Sequence, residues 1–170
     1  MDIIVSILQA IHDLGFSERL RNSSWLFPAV ETIHVIAIVY VFGSIARLDL
    51  RLMGWAWTDR PITQITEEML PYAWTGFAIA AVFGTMMWMS DPLTYLGVTF
   101  FDVKMIALAL AFTNMFYFQS VILPSAAKWD SDPVPPRPVR LAGALSLSLW
   151  LLVLVCGRFI GFVQDFPAGQ

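Results

Sequence analysis

Charged side chains are scarce in this sequence. They make up 14% of its 170 residues, whereas hydrophobic residues make up 58%. Soluble domains of this size carry about 25% charged and about 45–50% apolar residues. This composition excludes a water-soluble globule and, with a mean hydropathy of +0.68, predicts a membrane protein. The length allows four spans of about 20 residues with short connections, so any chemistry must lie among the helices.

Basic charge and cysteine are also lacking. The net charge of −3 leaves no basic stripe of the kind that binds nucleic acid, so nucleic acid is not expected as a partner. The single cysteine, Cys156, has no partner for an internal disulfide or for a thiolate metal site. We therefore expect Cys156 to be a small apolar filler in the last span.

The apolar segments predict an all-α fold, an integral membrane four-helix bundle preceded by an N-terminal amphipathic interfacial helix. Residues 1–21 repeat apolar side chains with the helical period but are too short and too polar to span a bilayer. The predicted spans cover about residues 25–45, 69–89, 99–123 and 139–163. Residues 124–138 contain five prolines and are expected to form an extended cytoplasmic connector. The whole chain, residues 1–170, is predicted to be one membrane domain.

Lysine and arginine are distributed unevenly between the two sides of this predicted bundle. Six lie in the connectors after the first and third spans, two precede the first span, and none lies between the second and third. Because cytoplasmic loops carry the excess of basic residues, both termini are predicted to be extracytoplasmic.

Four ionisable residues fall inside the predicted spans, where such a side chain costs about 2.5–3.5 kcal/mol at a helix centre. Counting residues along each helix places all four in the outer half of the bilayer, at the level of two methionines of the second span. The six residues are Glu31, His34, Lys104, Arg158, Met86 and Met89. Ordinary alternatives exist for most of them, because the two cations can snorkel, Glu31 can sit at the interface or pair with Arg158, and the methionines can simply pack.

His34 is the deepest of these residues, and its ring nitrogen is suited to binding haem iron. Lys104 and Arg158 would then hold haem propionates or a quinone-like partner, and Glu31 would tune charge or relay a proton. Alanine and glycine on the second and third spans would open a slot for a flat macrocycle, although such rows are equally typical of helix packing. Met86, Met89 and His12 are the candidates for the second axial ligand. The remaining alternative is a five-coordinate iron without one.

Several segments resemble known families. Residues 25–28, 31–36, 47–54 and 101–104, with Asn114, resemble an uncharacterised bacterial family of four-span membrane proteins of unknown function. Residues 33–37 and Lys104 are distantly similar to the haem-binding protoporphyrinogen oxidase family and to the copper-resistance membrane family. These resemblances imply a multi-pass protein of the bacterial inner membrane with haem b bound by His34. Glu31 and the proline-rich connector depart from the oxidase family, so its reaction is not implied.

The leading hypothesis is a haem b protein acting in electron transfer or membrane redox chemistry near the outer face, as an oxidoreductase or its electron-transfer subunit. Its partners would be membrane lipid and a quinone or an extracytoplasmic redox protein. One alternative is a copper-handling or transport protein that binds copper through His34 and the methionine cluster, since soft thioethers favour Cu(I). The other is a non-catalytic structural subunit. The sequence leaves homo- and hetero-oligomers equally open.

Overall fold

The computed structural model describes residues 2–165, and side chains from residue 3 to residue 162. The helices are α1 (Asp2–His12), α2 (Gly15–Asn22), α3 (Leu26–Met53), α4 (Ile62–Ser90), α5 (Thr99–Tyr117) and α6 (Arg137–Asp165). Four helical stretches, which begin at Leu26, Ile62, Thr99 and Arg137, are long and apolar enough to cross a membrane. The predicted all-α multi-pass fold is therefore confirmed. Residues 1 and 166–170 of the predicted single domain lie outside the described residues.

The N-terminal segment, expected to be one helix over residues 1–21, forms two. The chain turns at Asp13 and Leu14 before Gly15, whose low helix propensity favours a break. The Ser17 hydroxyl donates to the Ile11 carbonyl at 2.7 Å, which holds α2 against α1. The side chains of Ile3, Ile4 and Ile7 on α1 are exposed, with 55–77% of their surface accessible.

Both α3 and α4 extend past the predicted spans, because hydrogen bonds at one end of the bundle order the intervening polar residues. α3 ends at Met53 instead of residue 45, and α4 begins at Ile62 instead of residue 69. The fully buried Arg51 guanidinium donates to the carbonyl oxygens of Arg60, Asp130 and Asp132. The Asp130 carboxylate accepts from the Thr63 backbone N–H at 2.7 Å and so caps the first turn of α4.

The proline-rich connector is partly helical, in contrast to the extended segment that its prolines predict. α5 continues into a π-helical segment, Phe118–Ile122, and a 3₁₀ helix, Leu123–Lys128. Pro124 lies at the start of the 3₁₀ helix, a position at which proline is common. Trp129, whose aromatic ring predicts an interfacial anchor, is instead buried and donates to the Ser125 hydroxyl at 3.0 Å.

The spanning helices run up and down, so the starts of α3 and α5 lie with the ends of α4 and α6. We call this the His34 end and the opposite end the Arg51 end. α3 packs against α4 and α6, and α5 packs against α6. α4 and α5 stand further apart and meet through aromatic rings, such as those of Phe77 and Phe112, whose centroids are 4.4 Å apart. This divergence leaves space inside the His34 half of the bundle.

Candidate functional site

A cavity of about 540 Å³ lies among α3, α4, α5 and α6 in the His34 half of the bundle. Its volume falls in the range of about 300–1,000 Å³ typical of pockets for cofactors and small ligands. Most of the lining is apolar or aromatic, and its polar side chains include His34, Thr85 and Lys104. An apolar cavity with a few convergent polar groups is the usual form of a ligand site.

His34 enters the cavity from α3 in a fixed orientation. Its Nδ1 lies 2.8 Å from the Ala80 carbonyl oxygen of α4. Because a carbonyl only accepts, Nδ1 must carry the proton, and in the neutral ring Nε2 keeps its lone pair. No hydrogen bond to Nε2 is found among the described residues. This is the arrangement in which histidine binds a metal, with the second nitrogen donating to a backbone carbonyl.

Gly84 provides the space that the His34 ring occupies. It lies one turn after Ala80 on α4, and a Cβ placed there would come within 2.7 Å of His34 Cε1. Any side chain at this position would therefore displace the ring. One of the small residues of the second span, Gly84, thus makes room for the imidazole itself.

Lys104 enters the same cavity from α5. Its Nζ passes close to Gly157 of α6, where an added Cβ would lie 3.7 Å from it. Among the residues that the structure describes, no carboxylate pairs with this ammonium group. Trp150 also lines the cavity, and its buried indole N–H has no acceptor among the described residues. Lys104 is thus a donor in the cavity suited to the oxygen atoms of an anionic or carbonyl-bearing ligand, and the Trp150 N–H is a second polar group buried in its wall.

The structure does not bring the other four predicted site residues to this cavity. Arg158 is exposed, and its guanidinium carbon lies 4.6 Å from the centroid of the Phe162 ring. Glu31 is exposed and makes no ion pair with Arg158 within the described chain. Met86 and Met89 are half-buried and are not part of the lining, which takes Thr85 and Trp88 from this turn of α4.

His12, the other histidine, lies away from the cavity. Its Nδ1 is 3.0 Å from the Asp13 carboxylate. Hydrogen bonds from His12 and Gln9 hold the pKa of Asp13 below its ordinary value. The neighbouring Arg21 donates to the His12 carbonyl and to that of Ser90 at the end of α4, and so fastens the N-terminal helices to the bundle. His12 therefore serves this surface and not the cavity.

Met105 lines the cavity and was not singled out from the sequence. It directly follows Lys104, and no feature of the sequence distinguishes it from a packing methionine. Met105 is also 47% exposed, on the outside of the bundle. Ala81 and Thr85, on the facing side of α4, likewise line the cavity and are exposed. The cavity therefore opens sideways between α4 and α5.

Within the described part of the chain, no group of three or more His, Cys, Asp and Glu side chains is placed to hold a metal ion. A metal bound at His34 would therefore need other donors to complete its coordination. A macrocycle that brings its own nitrogen ligands meets this requirement with one protein imidazole.

Comparison with known proteins adds a family assignment. A family of unknown function, DUF6644, matches residues 26–163, which include the whole cavity lining. No curated protein and no solved structure matches the chain. The predicted resemblance to an uncharacterised family is confirmed, whereas the comparisons lend no support to the haem and copper resemblances. The chain belongs to DUF6644, a family of unknown function.

Proposed function

We propose that this protein binds haem b in the cavity at the His34 end and serves in electron transfer within the membrane. The observation that carries the proposal is the His34 imidazole. It is held by the 2.8 Å bond from Nδ1 to the Ala80 carbonyl, so that Nε2 is left as a metal ligand in an apolar cavity of about 540 Å³.

The remaining lining fits a haem of this kind. Phe77, Phe101 and Trp88 supply flat apolar walls, which exclude water and suit a macrocycle. Lys104 supplies a positive charge for a propionate, and the unpartnered Trp150 N–H supplies a further donor. Haem, when bound, provides one-electron redox chemistry, and axial ligation and burial tune its potential. The chain's own residues orient the ligand and neutralise its charge.

The sideways opening between α4 and α5 favours an exchange partner that is dissolved in the bilayer. Met105, Ala81 and Thr85 border this opening, so an apolar electron carrier such as a quinone would approach from the lipid. We place the protein in the bacterial inner membrane with its His34 end outward. The basis is that six of its ten lysines and arginines lie at the Arg51 end, in the connectors and in the adjoining turns of α3 and α6, and the more basic side remains cytoplasmic.

An optical spectrum of protein purified in detergent tests the proposal. Wild-type protein produced with added haem precursor is expected to show a Soret band and to yield haem b on pigment extraction. His34→Ala should lose the band, because the axial nitrogen is gone. His12→Ala is the matched control, since this second histidine lies on the surface beside Asp13, and it should keep the spectrum.

A misfolded variant would also lose the band, so addition of free imidazole to His34→Ala separates the two causes. Recovery of the Soret band with imidazole is expected if only the ligand is missing. A wild type without haem, or a band that His34→Ala leaves unchanged, would show the proposal to be incorrect. Copper without porphyrin in metal analysis would instead favour the metal-handling alternative.

A further inference from the structure

Asp49 lies buried inside the opposite half of the bundle. The sequence places it in a polar stretch after the first span, but α3 continues through it, and only 3% of its surface is exposed. The close approach of α6 explains this burial. A Cβ at Gly143 would come within 3.0 Å of the Asp49 carbonyl oxygen and within 2.8 Å of Leu52 Cβ, so only glycine permits this contact.

A second cavity of about 30 Å³ adjoins Asp49. This volume exceeds the roughly 10–15 Å³ that a cavity needs to hold one water molecule, and a buried water needs two to four polar partners. The cavity lining supplies four, Ser44, Asp49, Asn114 and Ser146. Three different helices contribute them, so the arrangement exists only in the folded bundle.

These polar groups retain unused hydrogen-bonding capacity. The Ser146 hydroxyl lies beside the Asp49 carboxyl, whose Oδ2 is buried and has no hydrogen-bond partner in the described part of the chain. Asn114 donates its Nδ2 to the Ala142 carbonyl at 3.0 Å, which leaves its own carbonyl oxygen as an acceptor. Ser44 donates to the Tyr40 carbonyl at 2.8 Å and can still accept.

Charge compensation for Asp49 is missing among its neighbours. Apart from Asp49, none of the residues that line the cavity on α3, α4, α5, the π-helical segment and α6 is ionisable. The two arginines nearest along α3 are engaged elsewhere. Arg47 Nη2 lies 3.7 Å from Glu68, and Arg51 donates to connector carbonyls. A buried carboxylate without a cation is unfavourable, and binding of a proton removes its negative charge.

We infer that Asp49, with Ser44, Asn114 and Ser146, forms a second internal site that binds one water molecule and an exchangeable proton. The proton resides on the Asp49 carboxyl, where Oδ2 donates it to the water. Ser44 and Asn114 then accept from the water. This assignment satisfies the orphaned carboxyl oxygen and leaves no uncompensated charge in the bundle. It does not depend on haem binding at the His34 end.

Infrared spectroscopy of the full chain in lipid nanodiscs tests this site. At neutral pH the wild type is expected to show the C=O stretch of a protonated carboxylic acid, which shifts in D₂O as the proton exchanges. Asp49→Asn should lose this band. Asp59→Asn, which changes an exposed carboxylate of the connector between α3 and α4, is the matched control and should keep it.

Ser146→Ala is a second variant that keeps the proposal testable if Asp49→Asn fails to fold. It keeps the carboxyl but removes the neighbouring hydroxyl, so the band should persist and move to higher frequency. A wild type without the band, or a band that survives in Asp49→Asn, would overturn the site. A band that sodium chloride removes at constant pH would overturn the proton as its occupant, in favour of a sodium ion held by the same oxygen atoms.

Discussion

Replacing Gly84 by alanine tests how the His34 ring is held. The added Cβ would lie 2.7 Å from His34 Cε1 and 3.2 Å from Nδ1, whereas ordinary contacts begin at 3.4 Å. The ring must therefore withdraw from α4 by about 0.7 Å, the difference between 2.7 and 3.4 Å. Its bond to the Ala80 carbonyl is now 2.8 Å long, and N–H···O bonds weaken beyond about 3.2 Å.

Three contributions set the size of the effect. Loss of one hydrogen bond costs about 0.5–1.5 kcal/mol net. Crowding of a packed interior costs a further 1–3 kcal/mol or so. Alanine returns about 0.8–1.0 kcal/mol through its higher helix propensity. We therefore expect Gly84→Ala to destabilise the protein by about 1–3 kcal/mol, and a displaced ligand nitrogen should weaken haemin binding about tenfold, the equivalent of about 1.4 kcal/mol.

Gly43→Ala is the matched control, because an added Cβ there meets nothing within 4 Å. It makes the same chemical change in α3 and should leave stability unchanged or raise it, with haemin binding intact. Unfolding by SDS titration in mixed micelles and haemin titration of the folded protein measure the two quantities. A Gly84→Ala variant that is as stable as Gly43→Ala and binds haemin equally well would contradict the role of Gly84 in holding the ring.

Three further changes test other parts of the structure. Arg51→Lys should destabilise the protein by about 2–4 kcal/mol in SDS titration, because lysine cannot reproduce a buried guanidinium that donates to three carbonyls; a change below 1 kcal/mol or so would contradict this. Asp130→Ala should cost about 0.5–2 kcal/mol through loss of the α4 cap, whereas Asp132→Ala, which keeps the backbone carbonyl that Arg51 uses, should be near neutral in the same titration; equal losses would count against the cap. Lys104→Met should preserve stability but reduce the affinity for haemin in spectroscopic titration. Arg158→Met, on the bundle surface, should leave that affinity unchanged. Equal affinities in both variants would show that Lys104 is not part of the ligand site.

The existence of the four spans was predictable, and their ends were not. Long apolar runs are favourable only inside a bilayer, so their number follows from hydropathy alone. The ends depend on hydrogen bonds between distant parts of the chain. Arg51 donates to Asp130 and Asp132, and Asp130 caps α4 at Thr63. No local sequence pattern around residue 45 or residue 69 indicates these hydrogen-bond partners.

The residues of the candidate site were likewise predictable only in part. Intramembrane charge identified His34 and Lys104, both of which line the cavity, because an ionisable side chain in a span needs a reason to be there. Helix rise gave the depth of Arg158 and Glu31 but not the direction in which they point, and both are exposed. The burial of Asp49 could not be predicted from the sequence, because its neighbours Arg47 and Arg51 make the segment resemble a loop.

The same structural feature admits His34 and Asp49 of α3 into the bundle. Gly84 of α4 faces His34, and Gly143 of α6 faces the backbone at Asp49, so a missing side chain on the partner helix admits each of them. The two residues lie 15 positions apart, about 22 Å along the helix axis. Apolar side chains of Val41, Ile45 and their cluster fill the layer between. Since sites separated by more than about 7–10 Å without shared partners act independently, a methyl group added at either glycine should disturb one site and leave the other intact.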